Sequence, residues 1–298
     1  MKDENMNKRL RNECAFSLIC SAEDAANMIE DGMAVGISGF TNAGYPKAVP
    51  HALAEQAKAG RKVKIDLYSG ASVGPEVDTE LTEAGVIGKR IPYQTNSVLR
   101  KSINAGDVGY IDMHLGRSPE FIAAGHVRKP DIALVEALAI TEDGHLIPTT
   151  SVGNTPTYVA EADAVIVEIA MSKPLALEGM ADVYMCQKPP CRQPIPLTHP
   201  GDRIGTPYIP CGWDKIKAIV ISDRSDLTRP LAAISEDSKK IGQNIIRFFE
   251  DEVAAGRLGK SLLPIQSGVG SVANAVLYGL RDSAFEGLTC YTEVIQDS

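Results

Sequence analysis

Short apolar runs alternate with stretches of helical periodicity along most of the chain. Ser21 and Asp24 form a capping-box pattern at the start of one helix, and Pro50 suits the first turn of another. The first predicted elements are, in order, a helix through Ile29, a strand at 33–38, a loop at 39–46, a helix through Lys58 and a strand at 63–69. Two strands joined by a helix predict a βαβ unit.

Three more strand-like runs follow, at 132–136, 164–169 and 217–222. Strands that alternate with helices are typical of an α/β fold, and we expect an open, largely parallel sheet flanked by helices. A loop at 70–75 follows the second strand, at the sheet edge where such folds bind ligands. The stretch 188–210 is rich in proline, which removes backbone donors, so we expect a loop there.

Helical periodicity is strongest after Ser235. Gly256 ends this helix. Its apolar face consists of Ile241, Ile245, Phe248, Phe249 and Val253, and we expect this face to be packed in a core. The elements predicted next are a strand at 262–265, a glycine loop at 266–270, a helix at 272–280 and a strand at 288–291. This last unit leads directly to Glu293.

Composition limits the possible functions. The chain has 298 residues, 44% of them hydrophobic, which suits one large or two ordinary domains of a soluble globular protein. Its net charge of -8, without a cationic cluster, argues against binding to nucleic acid or to an anionic membrane. The apolar run at 14–20 is too short to cross a bilayer, so we expect neither secretion nor membrane insertion.

The six cysteines are too sparse for a disulfide scaffold, which favours the reducing cytoplasm. Cys186 and Cys191, with His199 and Cys211 downstream, match no common spacing of zinc ligands. We therefore expect a cytoplasmic protein without a metal site.

Two chemistries compete for the glycine loop 266–270. A carboxylate at Glu293, held beside backbone N–H groups of this loop, could attack an acyl carbon while the N–H groups bind the oxyanion. The same loop, with Ala273, also satisfies a relaxed dinucleotide fingerprint, for which Glu286 or Glu293 would bind a ribose hydroxyl. A third interpretation is that Glu293 is a solvated surface acid.

Three segments carry a resemblance to a known family. They are residues 260–276 followed by Tyr291-Thr292-Glu293, residues 39–41 with 44–50, and residues 202–211. Together they resemble the acetyl-CoA hydrolase/transferase family of class I CoA-transferases, and within it the succinyl-CoA:acetate CoA-transferase branch. The resemblance extends over nearly the whole chain from Ser21 onward.

The resemblance implies roles for the C-terminal unit. Glu293 matches the family's nucleophile, and the backbone N–H of Val269 matches one donor of its oxyanion hole. Gly268, Gly270 and Asn274 would lie at the thioester end of coenzyme A. No cofactor would be bound permanently, because the coenzyme A thioester is itself a substrate.

Further site residues are implied nearer the N-terminus. Ser72 matches a serine near the acyl pocket, although turns also commonly use serine. Arg224 matches an arginine that pairs with a carboxylate, although a surface ion pair with Asp223 or Asp226 is the alternative. Residues of a candidate acyl-side loop, which positive-φ turns would equally explain, are Asn42, Gly44 and Lys47.

The implied reaction moves CoA between an acyl-CoA and a carboxylic acid, such as succinyl-CoA and acetate, through a glutamyl-CoA thioester with ping-pong kinetics. The alternatives are an acetyl-CoA hydrolase of the same family, an NAD-dependent oxidoreductase and an inactive truncated domain. Small-molecule substrates are the expected partners.

The expected domain organisation is an N-terminal extension at 1–20, a CoA-transferase N-terminal α/β domain at 21–230, and a linker helix with the start of a C-terminal domain at 231–298. In the family a second domain follows the nucleophile, so we expect it in the same or a partner chain. We also expect a homo-oligomer.

Overall fold

The computed structural model describes residues 2–228, 233–292 and 294. Its strands are β1 Ala34–Ile37, β2 Ile65–Tyr68, β3 Ile87–Ile91, β4 Gly109–Tyr110, β5 Ile132–Ala137, β6 Ala139–Ile140, β7 Leu146–Ile147, β8 Ala164–Ala170 and β9 Ile216–Ser222. Its helices are α1 Lys2–Arg9, α2 Ala22–Asn27, α3 Ala48–Lys58, α4 Leu81–Glu83, α5 Ser97–Ala105, α6 Ser118–Ala123, α7 Thr155–Glu161, α8 Glu236–Ala254 and α9 Ser271–Arg281. The predicted β1-α3-β2 unit and the three later predicted strands are confirmed.

Seven strands form one parallel sheet in the order β4-β3-β2-β1-β5-β8-β9. The expected α/β fold with an open parallel sheet is therefore confirmed. Strands β1 to β4 extend to one side and β5, β8 and β9 to the other, so the strand order reverses between β1 and β5. In open α/β sheets, ligands bind outside the carboxyl ends of the strands at this reversal.

Alternate residues of each central strand enter different cores. Val35 and Ile37 of β1 belong to the cluster that includes α2 and α3, whereas Ala34 belongs to the cluster that includes Tyr158 of α7. Burial on both faces explains why the parallel strands read as continuous apolar runs in the sequence. Gly36 is required in β1 because an added Cβ would lie 2.6 Å from the Tyr158 ring.

The chain divides into two compact units, formed by the described parts of residues 1–195 with 203–228 and of residues 196–202 with 229–298. The first unit contains the sheet and helices α1 to α7. The second contains α8 and α9. No helix in the described part of the chain is long and apolar enough to cross a membrane.

Helix α8 begins after its N-cap Ser235 and ends before Gly256, as predicted, but core packing does not cover its whole apolar face. Ile241 and Phe248 are exposed, and the buried residues are Ser238, Gly242 and Ile246. The prediction that core packing covers the whole face was wrong because α8 contacts α9 through the small residues Ser238 and Gly242 together with Ile246. An added Cβ on Gly242 would lie 2.9 Å from the Ala275 carbonyl oxygen, and one on Gly279 would lie 2.9 Å from Ile246.

The strands predicted at 262–265 and 288–291 are reduced to a single parallel bridge between Ile265 and Cys290. Leu262 has a positive φ of 55° and Pro264 has no backbone N–H, and both features interrupt strand pairing. The prediction of two strands was therefore wrong, although the order of bridge, loop and helix is retained. Residues 188–210, all of which the structure describes, form only isolated bridges at Thr206 and Ile209, which confirms the predicted loop.

Candidate active site

The glycine loop 266–270 of the second unit lies beside the segment that leads to Glu293. The Ile265 N–H donates to the Thr289 carbonyl at 2.9 Å, and the Tyr291 N–H donates to the Ile265 carbonyl at 3.0 Å. These two bonds place the two segments side by side in parallel. The expected proximity of loop and nucleophile segment is therefore present up to residue 292.

Thr292 closes this arrangement. Its hydroxyl oxygen accepts the Ser267 N–H at 3.1 Å and lies 3.1 Å from the carbonyl oxygens of both Ser267 and Val294. The residue directly before Glu293 is thus bound to the loop. Glu293, the predicted nucleophile, lies outside the described residues.

The loop continues into α9, and Gly270 is its N-cap residue with a φ of 138°. Gly270 needs to be glycine because this φ disfavours a side chain, whereas open space surrounds the position of a Cβ on Gly268. Val269 is 72% exposed, and the buried Asn274 donates its backbone N–H to the Gly270 carbonyl at 3.1 Å. The positive end of the α9 dipole favours a developing negative charge at this loop.

Ser72 lies in the first unit, in the loop that follows the carboxyl end of β2. It is buried, its hydroxyl lies 2.8 Å from the Thr95 hydroxyl, and its oxygen also accepts the Thr95 N–H. Its carbonyl accepts the Thr41 N–H at 2.9 Å, which joins the loops after β1, β2 and β3. In this structure Ser72 connects loops at the edge of the sheet where ligands bind.

Arg224 follows the carboxyl end of β9 and is exposed. Among the described residues, neither Asp223 nor Asp226 forms an ion pair with it. Asp226 instead binds Lys47 and Lys173. The surface ion pair considered as an alternative for Arg224 is therefore not formed within the described part of the chain.

Lys47 is the centre of a buried charge cluster that the sequence did not indicate. Its ammonium donates to the Glu136 carboxylate, to Asp226 Oδ1 at 2.8 Å and to the Tyr45 carbonyl at 2.7 Å. The Lys47 side chain is 1% exposed, so it cannot line an open acyl-side loop. Asn42 and Gly44 of that loop have φ values of 71° and 63°, which confirms the turn explanation for both.

Glu168 of β8 organises the start of α3. Its carboxylate accepts the backbone N–H groups of Lys47 and Ala48 at 2.9 Å and of Val49 at 2.7 Å. These are N–H groups that a helix leaves without partners inside the helix. A carboxylate at the positive end of a helix is stabilising, so Glu168 fixes α3 relative to β8.

Burial and charge act in opposite directions on the cluster. Burial raises the pKa of Glu136, and the neighbouring Lys47 only partly offsets this rise. Burial also opposes the charge on Lys47, but Glu136 and Asp226 outweigh it and raise the pKa of Lys47 above its ordinary value. In Asp226, burial is outweighed by the two lysines, which lower the pKa of its carboxyl. The cluster is therefore held by opposite charges that depend on one another.

The family profile of the acetyl-CoA hydrolase/transferase N-terminal domain matches residues 4–239. A succinyl-CoA:acetate CoA-transferase from Clostridium kluyveri is 54% identical over 98% of this chain and 54% of its own length. An acetyl-CoA hydrolase from Kluyveromyces lactis is 37% identical over 93% of this chain and 54% of its own length. The chain thus spans about half the length of the curated relatives it matches.

Solved structures with a similar fold include RipA from Yersinia pestis, with a TM-score of 0.66 at 18% identity over 98% of this chain and 57% of that chain. A 4-hydroxybutyrate CoA-transferase from Porphyromonas gingivalis has a TM-score of 0.55 at 18% identity over 100% of this chain and 57% of that chain. At this level of identity the two structures support the fold alone.

Proposed function

The chain belongs to the acetyl-CoA hydrolase/transferase family, and on that premise we propose that it forms the catalytic-glutamate part of a CoA-transferase. The proposed reaction moves CoA between an acyl-CoA and a carboxylic acid, with succinyl-CoA and acetate as the preferred pair. The choice of this pair follows the 54% identity to the succinyl-CoA:acetate CoA-transferase, compared with 37% to an acetyl-CoA hydrolase.

The observation that carries the proposal is the binding of Thr292 to the glycine loop through the Ser267 N–H at 3.1 Å. Thr292, the residue before Glu293, is thereby held beside the glycine loop that precedes α9. A carboxylate nucleophile needs little more than position, because a glutamate with an unperturbed pKa of about 4.3 is already ionised at neutral pH. No general base is needed for attack.

In the proposed first step, a carboxylate oxygen of Glu293 attacks the thioester carbon of the acyl-CoA. The carbonyl oxygen becomes an oxyanion bound by the Val269 N–H, and the C–S bond then breaks to leave an acyl-glutamyl anhydride and CoA thiolate. The thiolate attacks the glutamyl carbonyl, which forms the glutamyl-CoA thioester and releases the first acid. The second acid collects CoA by the reverse steps, so the kinetics are ping-pong.

Other predicted residues are assigned around this reaction as part of the proposal. Gly268 and Gly270 give the thioester end of CoA close access to the loop, and Asn274 supports it from the first turn of α9. Arg224 binds the carboxylate of an acid substrate, since arginine pairs with carboxylates in a planar, bidentate geometry. Ser72 is assigned a contact with the acyl group of the substrate.

A second protein part is required by the proposal. Exposed apolar residues near the glycine loop and on α8 include Leu263, Val269, Tyr291 and Phe248, and apolar surface of this kind often marks an interface. We assign a C-terminal half, in the same or a partner chain, to cover this apolar surface. That half would also supply a second oxyanion donor and most of the CoA site. A homo-oligomer in the cytoplasm, without a permanently bound cofactor, completes the proposal.

The experiment joins this chain to the part of the Clostridium kluyveri enzyme that it does not match. This two-part enzyme, incubated with succinyl-CoA and labelled acetate, should form labelled acetyl-CoA in a ping-pong pattern. Absence of exchange in a folded two-part enzyme would contradict the proposed function.

An acetyl-CoA hydrolase is the second candidate, because the Kluyveromyces lactis relative, at 37% identity, is an acetyl-CoA hydrolase. Water that reaches the anhydride or the thioester would release free CoA, so exclusion of water separates the two activities. The ratio of acetyl-CoA to free CoA formed by the two-part enzyme decides between them.

A further inference from the structure

The Lys47 cluster has no role in the proposed chemistry, although it is buried at the carboxyl edge of the sheet. All three N–H bonds of the Lys47 ammonium have an acceptor: Glu136, Asp226 and the Tyr45 carbonyl. Burying charges is costly unless each is paired and hydrogen-bonded. Because every N–H of the ammonium is paired, the cluster holds the chain segments of Lys47, Glu136 and Asp226 in one arrangement.

The cluster binds the chain two residues after Arg224, at Asp226. Asp226 binds both Lys47 and Lys173, and the Gly44 N–H also lies 3.3 Å from its carboxylate oxygens. The neighbour of Lys173, Ser172, donates its hydroxyl to the Arg224 carbonyl at 3.1 Å. Ser172 thus contacts Arg224, and Lys173 contacts Asp226.

A third contact fixes the other end of this segment. The Asn42 side-chain amide donates to the Leu227 carbonyl at 2.9 Å. Residues 224–227 are therefore fastened to the loop after β1 and to the loop after β8. The Arg224 side chain, by contrast, is exposed and forms no ion pair with the described residues. A guanidinium on a rigidly held backbone is suited to binding an external carboxylate.

We propose that Asp226, Lys47 and Lys173 are positioning residues that hold Arg224 for the carboxylate of the acid substrate. This inference rests on the proposed function. The buried ion pairs prevent the 224–227 segment from shifting, and a misplacement of about 1 Å can cost about 100-fold in rate. The three residues act through Arg224 and do not touch substrate themselves.

The test measures the two-part enzyme with acetyl-CoA as donor, whose acyl group has no carboxylate, and succinate as acceptor. Arg224→Ala should raise the KM for succinate by about 10- to 100-fold, the loss expected for one charge-assisted contact. Lys173→Met should raise the same KM by at least about 10-fold and leave the KM for acetyl-CoA within about threefold. Lys173→Arg should recover most of the affinity for succinate. Lys129→Met removes a surface ion pair with Glu161 and is the matched control.

The decisive comparison is the double variant Lys173→Met with Arg224→Ala. If Lys173 acts through Arg224, the double variant should bind succinate no more weakly than Arg224→Ala alone, because the positioned group is already gone. Additive effects, an unchanged KM for succinate in Lys173→Met, or equal losses for both substrates would overturn the inference. An inactive wild-type two-part enzyme would instead contradict the proposed function, so the two failures are distinguishable.

Discussion

Replacing Lys47 by methionine should destabilise the first unit strongly. The substitution keeps an unbranched side chain but removes the ammonium, so the buried Glu136 loses its described ion-pair partner. Asp226 keeps Lys173. Removing one partner of a buried pair costs about 3–5 kcal/mol, because the remaining charge stays buried without compensation. For a unit of this size, that loss lowers the melting temperature by about 6–20 °C.

The assay uses the single tryptophan of the chain. Trp213 lies in the first unit, where its indole N–H donates to the Glu142 carbonyl at 2.8 Å, so its fluorescence reports on that unit during urea denaturation. The matched control is Lys58→Met, which removes an exposed ion pair with Glu55 and should change stability by less than about 1 kcal/mol. A Lys47→Met variant within about 1 kcal/mol of the wild type would refute the reasoning.

The pH dependence of the Lys47→Met deficit has a definite sign. Burial raises the pKa of Glu136, and Lys47 is the main group that opposes this rise, so the variant should raise that pKa further. A carboxyl with a raised pKa in the folded state binds its proton more tightly there than in the unfolded chain. The deficit should therefore be largest above the raised folded-state pKa and shrink as pH falls toward the unfolded value of about 4.3. Adding Glu136→Gln to Lys47→Met should likewise recover stability at neutral pH, and a deficit that grows on acidification would contradict this explanation.

Four further outcomes are expected. Gly74→Ala should cost about 1–3 kcal/mol in the same denaturation assay, because an added Cβ would lie 1.9 Å from the Tyr45 ring. An added Cβ on Gly116 meets no atom within 4 Å, so the control Gly116→Ala should lower the stability by less than about 0.5 kcal/mol. Ser21→Ala should cost about 1 kcal/mol by removing the N-cap that accepts the Asp24 N–H at 3.0 Å, and an unchanged denaturation midpoint would exclude that role. Glu293→Gln in the two-part enzyme should lower kcat by several orders of magnitude at an unchanged melting temperature, as measured by acetate exchange. The chain alone, with one oxyanion donor, should exchange CoA at least about 100- to 1000-fold more slowly than the two-part enzyme, and comparable rates would contradict the need for a second half.

Local signals were sufficient for much of the fold. Strands β1, β5, β8 and β9 are rich in valine, isoleucine and alanine and are buried at most positions, so the sequence marks them directly. Strand β3 carries Lys89 and Arg90 and gave no such signal. Arg90 is fully buried because it pairs with Asp78, and a pairing of this kind does not appear in a local pattern.

The candidate site was predictable only where its residues are close in the chain. The glycine loop and the segment before Glu293 flank one helix, so spacing and family resemblance both indicated them. The Lys47 cluster joins residues far apart in the sequence, with Glu136 lying 89 positions away. Lysine, glutamate and aspartate are usually exposed to solvent, and only the fold shows that Lys47, Glu136 and Asp226 are buried together.

The most direct test of the central claim is to trap the proposed intermediate on Glu293. The two-part enzyme is incubated with succinyl-CoA, reduced with borohydride, digested and analysed by mass spectrometry. A glutamyl thioester is reducible and a free carboxylate is not, so the account predicts conversion of Glu293 alone to the corresponding alcohol, dependent on acyl-CoA. An enzyme that exchanges CoA at full rate while Glu293 remains unmodified, or while another residue carries the alcohol, would contradict the account.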